Sequence, residues 1–180
     1  MKTLSLFILC IMFINGEERQ DIYSFNEFED AGNWFIVDDR VMGGISQGTI
    51  SLNENGNGVY SGKVSTENNG GFSSVRLRFD LREVSEYKAI SLKLKGDQKN
   101  YQFRIKSTSG QYYSYVNTFQ TNGEWEEIRI PFDKFKPEFR GRLLDKPNYP
   151  GDVMEEIAFL IGNKKNESFR LEIESISIIK

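Results

Sequence analysis

ISLKLKGDQKNYQFRIK, residues 90–106, carries one pattern twice. Ile90, Leu92 and Leu94 alternate with Ser91, Lys93 and Lys95, and then Tyr101, Phe103 and Ile105 alternate with Gln102, Arg104 and Lys106. A period of two places each apolar set on one face of a pleated strand and each polar set on the other. Gly96-Asp97 breaks the chain between the two runs. Working outward, Val75, Leu77 and Phe79 alternate with Arg76 and Arg78. Ile128 and Ile130 lead into Pro131, which has no N–H for a ladder and so ends or edges its strand. Near the C-terminus the parity slips. Phe169, Leu171 and Ile173 share one parity and Ile176 and Ile178 the other, as a bulge near Glu174-Ser175 or a strand buried on both faces produces.

Turn signals separate these runs. Asn55-Gly56, Asn57-Gly58, Asn69-Gly70 and Asn122-Gly123 offer positive φ in contexts suited to hairpins, and Ser109-Gly110 and Pro150-Gly151 add further breaks. Helical periodicity is nowhere sustained, and residues 81–87 and 131–135 hold a turn or so at most. Aromatic residues make up 13% of the chain, which suits strands because flat rings pack well on a pleated surface. These features predict an all-β fold, a β-sandwich of jelly-roll type with short helical turns. Residues 17–180 read as one domain, with no internal repeat and no linker long enough to divide it.

The first residues read as an export signal over 1–16. Lys2 gives a positive start, and the apolar run 4–14 is too short to span a bilayer comfortably. On that reading the mature chain is periplasmic or secreted and has no transmembrane span, and the sole cysteine, Cys10, leaves with the leader. Histidine is absent from the whole chain, which removes Ser-His-Asp and Cys-His catalysis and the His-bearing metal sites. A net charge of −3 gives no electrostatic footprint for nucleic acid.

The chemistry-bearing stretch is DDRVMGGISQG, residues 38–48. Gly43 and Gly48 have the spacing of a phosphate loop's glycines, yet the lysine that should follow Gly48 is missing and no helix pattern comes after. An EF-hand wants oxygen ligands at alternate positions after Asp38, and Arg40 occupies the next of them. Calcium held by loop oxygens outside such a motif stays open, without a specific motif behind it, and no cofactor is predicted. Asp38 and Asp39 are adjacent, so in a strand they face opposite ways and cannot form a glycosidase pair by themselves. The structural reading is that Gly43 and Gly44 allow a tight or close-packed backbone, with Asp39 and Arg40 tying the loop down by charge-assisted hydrogen bonds. It predicts that Gly44→Val destabilises more than Ser46→Ala, through a positive φ at Gly44.

DDRVMGGISQG, preceded by Trp34, resembles the signature of the complex I intermediate-associated protein family, the thirty-kilodalton class of respiratory assembly factors. The resemblance continues through YSGKVSTENNGGFSSVR (60–76), LKLKGDQKNYQFRI (92–105), TFQTNGEWEEIRIPFDKFKPEFRGR (118–142) and IAFLIGNKKNESFRLEIESISI (157–178). Matching residues are Asp38, Asp39, Arg40, Met42, Gly43, Gly44 and Ser46, then Gly70, Gly71 and Phe72, then Trp125, Pro131, Phe132, Gly141 and Arg142. The resemblance implies a galactose-binding-like β-sandwich and a non-catalytic module; mitochondrial members assist assembly of the NADH:ubiquinone oxidoreductase membrane arm. It supplies no catalytic residues.

Three functions compete. The first is a protein-binding assembly or chaperone-like module, working through a sandwich face or the 38–48 loop. Arg76, Arg78, Lys93, Lys95, Arg104 and Lys106 offer it a basic patch if their strands are neighbours, although polar cover of an exposed face explains the same residues. The second is an exported carbohydrate-binding module with a glycan partner, its aromatic platform drawn from Tyr113, Tyr115 and Trp125. The third is a glycoside hydrolase relying on carboxylates, with no spacing that identifies them.

Overall fold

The alternating runs become strands of two antiparallel sheets. A computed structural model describes residues 18–27 and 31–180; the expected leader lies outside them. The strands are β1 (Arg19–Ser24), β2 (Trp34–Asp38), β3 (Gln47–Leu52), β4 (Gly58–Val64), β5 (Ser73–Glu83), β6 (Ala89–Lys95) and β7 (Asn100–Lys106). They continue as β8 (Ser114–Gln120), β9 (Trp125–Pro131), β10 (Lys136–Phe139), β11 (Arg142–Leu143), β12 (Val153–Ile161) and β13 (Glu167–Ile179). One sheet has the order β3-β4-β13-β6-β9, with β1 also paired to β13; the other runs β11-β10-β8-β7-β12-β5-β2. This is the expected jelly-roll sandwich. No helix among the described residues is long and apolar enough to cross a membrane.

The inner faces carry the apolar parity read from the sequence. Ile90, Leu92 and Leu94 come from one sheet, and Tyr101, Phe103 and Ile105 from the other, all without solvent contact. They share one core with Val75, Leu77, Ile157, Phe159, Ile173 and Ile176. Trp34 stacks on Phe25 and meets Tyr23 edge-on, and Phe159 bridges towards Phe103. The parity slip near the C-terminus is a bulge: the β13–β6 register shifts between Ile173 and Ser175. That single extra residue returns Ile176 and Ile178 to the core. Pro131 closes β9, an edge strand, so its missing N–H leaves no ladder bond unmade.

Three local expectations differ, the first being that neither Asn57 nor Gly58 has a positive φ and Gly58 opens β4, where a Cβ would meet the Phe25 ring. Leu81 belongs to the long strand β5 rather than a helical turn, while Phe132–Lys134 does form one turn. At Asn69-Gly70 the positive φ falls on Asn68, Asn69 and Gly71, and Gly70 is extended. Asparagine tolerates the left-handed region, which frees Gly70 for close packing.

Core burial sets the first expected outcome. Phe103→Ala should cost about 3–5 kcal/mol in urea unfolding, whereas Trp125→Ala, on an edge strand and 39% exposed, should change stability by only about 0.5 kcal/mol. Equal losses in the two variants would contradict this placement of the core.

Candidate functional site

Residues 38–48 build a latch at one end of the sandwich. Asp38 closes β2, and the chain then makes a single tight turn over Asp39–Met42 that stops at Gly43, whose φ is +90°. Asp39 has no solvent exposure. Its carboxylate accepts from Ser46 N at 3.0 Å and Ser46 Oγ at 2.5 Å, and from the backbone N–H groups of Gly71 at 2.6 Å and Phe72 at 3.3 Å. Ser46 Oγ in turn accepts from the Ser65 N–H at 3.0 Å. Asp38 faces the other way. It accepts from Gly48 N at 3.0 Å and Ser73 Oγ at 2.6 Å, and Ser73 Oγ accepts from the buried Tyr60 hydroxyl at 2.8 Å. Burial pushes the Asp39 carboxyl up, but the donors at Ser46, Gly71 and Phe72 outweigh it and hold it below the usual carboxylate range.

The two glycines of the signature do different work. Gly43 needs its positive φ and faces open space. Gly44 is not in the left-handed region; a Cβ there would sit 2.3 Å from Asp39 Oδ1. The expected intolerance at Gly44 therefore stems from contact, not from φ. Gly70 is held by the same carboxylate, since its Cβ would lie 2.6 Å from Asp39 Oδ2. Arg40 is exposed and makes no ion pair or side-chain hydrogen bond among the described residues, so Asp39 alone ties down the turn. Among those residues no group of three or more Asp, Glu, His or Cys side chains is arranged to hold a metal ion.

In front of this latch lies a cleft of about 680 Å³ on the outer face of the seven-stranded sheet. Val37, Gly70, Gly71 and Phe72 form one wall, and Met42 of the signature stands on its lip, 50% exposed. Tyr112, Tyr113 and Phe139 form the opposite wall, with Tyr112 edge-on to both neighbours. The floor is set by register. Arg76, Ala158 and Arg104 lie in one row across β5, β12 and β7, and Arg78, Glu156 and Lys106 in the next. Glu156 is buried and pairs with Arg78 at 2.7 Å, Arg76 at 3.5 Å and Lys106 at 3.7 Å. Arg104 instead donates from Nε and Nη2 to Gln102 Oε1, at 3.0 and 2.7 Å. Burial and, less strongly, the Arg76 charge push its guanidinium down to about 10, against support from Glu138.

The structure thus divides the residues picked out by the sequence. Asp38, Asp39, Gly43, Gly44 and Ser46 form the latch, and Met42 reaches the cleft. Tyr113 lines the cleft, Tyr115 is buried behind it with its hydroxyl 3.3 Å from that of Tyr113, and Trp125 sits on the other sheet, so the three do not make one platform. Tyr112 joins Tyr113 in the cleft because both precede β8, where strand alternation does not apply. The basic residues split likewise. Arg76, Arg104 and Lys106 share the cleft, whereas Lys93 and Lys95 belong to β6 of the opposite sheet. Glu138, Glu156, Arg140 and Lys164 were not singled out by sequence reasoning. The parity of Gln102, Arg104 and Lys106 was the available signal for the floor.

A family model, complex I intermediate-associated protein 30, matches residues 23–173. The chain is 24% identical over 185 residues to the mouse complex I intermediate-associated protein 30, mitochondrial, covering 90% of this chain and 56% of that protein. It is 25% identical to a probable counterpart in Caenorhabditis elegans, covering 93% and 56%. It is also 26% identical to an uncharacterised protein of Schizosaccharomyces pombe, covering 84% and 82%. The chain therefore spans about half the length of the mouse and worm relatives. Among solved structures, a family 11 carbohydrate-binding module of a cellulosomal cellulase of Clostridium thermocellum superposes with a TM-score of 0.64 at 20% identity, covering 91% of this chain and 95% of that one. The likeness at that identity is one of fold. The export reading is corrected by the mouse, worm and fly relatives, which are mitochondrial by name. A lysine followed by a short apolar run reports hydrophobicity and not destination.

The latch yields two expected outcomes. Because the folded Asp39 carboxyl lies below its unfolded value, the unfolded state binds the proton first as pH falls. Its contribution to stability is complete above about pH 5 and is lost as pH drops through the lowered folded value. Asp39→Asn should cost about 2–3 kcal/mol at neutral pH and flatten the acid limb of a melting-temperature profile; an unchanged slope would remove Asp39 from that role. In a double-mutant cycle, Gly44→Ala should cost less in an Asp39→Ala background than in the wild type, while the cost of Gly43→Ala stays the same. Additive effects at Gly44 would contradict the contact.

Proposed function

Because the chain belongs to the complex I intermediate-associated protein 30 family, we propose that it is a non-catalytic binding module acting in mitochondria. It holds a protein partner while the NADH:ubiquinone oxidoreductase is assembled. The observation that carries this reading is the placement of the signature against the cleft. Met42 and the segment 70–72, which Asp39 fixes from behind, form the wall and lip of a large concavity that the latch supports. Both Asp oxygens of the latch are engaged by backbone and hydroxyl donors, which suits a positioning role and leaves the cleft as the surface for recognition.

A sugar ligand is the second reading. The Tyr112, Tyr113 and Phe139 wall favours it, since aromatic faces stack on pyranose rings in concave sites.

The experiment is removal of the protein from its own cells, read by native gels of mitochondrial membranes. Assembled NADH:ubiquinone oxidoreductase should fall and partly assembled intermediates should accumulate, with rescue by the wild-type chain. A normal level of the complete enzyme would overturn the assembly reading. Titration of β-glucan oligosaccharides that bound in the cleft, with the enzyme level unchanged, would select the sugar reading instead.

A further inference from the structure

The floor of the cleft has more positive charge than folding requires. Five cations line it, namely Arg76, Arg104, Lys106, Arg140 and Lys164, against the single carboxylate of Glu138. The whole chain carries a net charge of −3, so the positive charge has been gathered here. Glu156, set in register between the exposed Arg78 and the enclosed Lys106, offsets the cost of enclosing Lys106 and reaches Arg76. Arg104 lies one row further along and is not served by it. Its fork holds an amide oxygen, which cancels no charge. A half-buried cation that has no carboxylate in ion-pair contact among the described residues, and only the field of Glu138 in support, gains from a charge that arrives from outside. Ala158, between Arg76 and Arg104, leaves their row unobstructed. Strand spacing puts the backbones of those two arginines about 10 Å apart. The cations are thus spread along a trough instead of converging on one point.

We propose that this cleft recognises an acidic segment of its protein partner, with Arg104 as the central carboxylate anchor and the exposed side chains of Met42, Tyr112 and Phe139 gripping apolar residues of the same segment. The inference rests on the assembly reading for the identity of the partner, but not for the chemistry of the cleft. Spread cations with an apolar rim fit a chain of alternating character better than a single anion. The planar guanidinium gives bidentate geometry to a carboxylate, and the lip residues are 50%, 59% and 38% exposed, as anchors awaiting cover are.

The probe is a fluorescent peptide of about ten residues alternating Glu and Phe, titrated against the full chain, with a Gln-for-Glu peptide as control. The Glu peptide should bind, and binding should weaken steeply as salt rises from about 50 to 300 mM. Arg104→Gln should weaken it about ten-fold or more. Since Arg104 is half-buried, Arg140→Glu with Lys164→Glu, both on exposed residues, serves as a second test at unchanged melting temperature and should weaken binding comparably. Equal binding of the Glu and Gln peptides, no binding of either, or undiminished binding by the double variant would overturn the proposal. Displacement of the peptide by inorganic phosphate or by phosphatidylglycerol vesicles would do the same, in favour of a simple anion or a lipid surface. The double variant reintroduced into depleted cells separates the two readings. Normal enzyme levels there, alongside loss in the depleted cells, would leave the assembly reading standing and remove the acidic segment. Unchanged levels on depletion would remove the assembly reading, leaving the titration to decide the chemistry.

Discussion

A single buried carboxylate organises one end of this protein. Asp39 has no access to water, so its lone pairs must be met from within. Four donors meet them, from Ser46 on one side and Gly71 and Phe72 on the other. The preceding residue, Asp38, points the opposite way because consecutive side chains at a strand end alternate. It reaches Gly48 on β3 and Ser73 on β5, and through Ser73 the hydroxyl of Tyr60 on β4. Adjacent acids therefore do two jobs. One gathers loops and the other crosses the seam between the sheets. A neutral side chain would accept fewer of these bonds, and charge-assisted bonds from backbone N–H groups are the stronger kind.

The glycines follow from that carboxylate. Gly44 and Gly70 lie where any Cβ would touch Asp39 oxygens, whereas Gly43 and Gly71 are held by their dihedral angles. The same contacts aim the segment 70–72 into the cleft wall, so the latch and the cleft are two sides of one piece of backbone. An acid with saturated lone pairs and a carboxyl held below the usual range has no proton to give near neutral pH. The signature is best understood as the mould for a surface.

How much of this was legible depended on whether strand parity governed it. The core was, because Ile90 to Leu94 and Tyr101 to Ile105 alternate without interruption, and even the bulge at Ile173–Ser175 declared itself as a change of parity. The cleft was legible only in part. Parity put Arg76, Arg104 and Lys106 on an outer face but could not say that their strands flank β12, nor that Lys93 and Lys95 fall on the other sheet. Pairing order is a property of long connections, which leave no local mark. Tyr113 was singled out, but Tyr112 beside it escaped for the opposite reason: the two lie in a loop, where alternation has no meaning. Gly44 was recognised for its size while its φ was misjudged, because a glycine needed for contact and one needed for a turn look alike in sequence.

The outer face of an antiparallel sheet ordinarily needs nothing more than polar cover. On this sheet the cover is no longer in open water, since the residues of the 70–72 segment, the tyrosines before β8 and the β10–β11 hairpin rise around it. Charges enclosed in this way lose hydration, and each needs a counter-charge to compensate. Glu156 supplies one for Lys106, in register, and for Arg76. If fold stability alone shaped the face, the Arg104 position in the neighbouring row would show the same economy that Glu156 extends to Arg76, or an uncharged residue. It shows a guanidinium resting on an amide. Retaining that charge makes physical sense when its counter-charge is borne by another molecule, which places selectivity in the row beside the ion pairs and not in the acids of the signature.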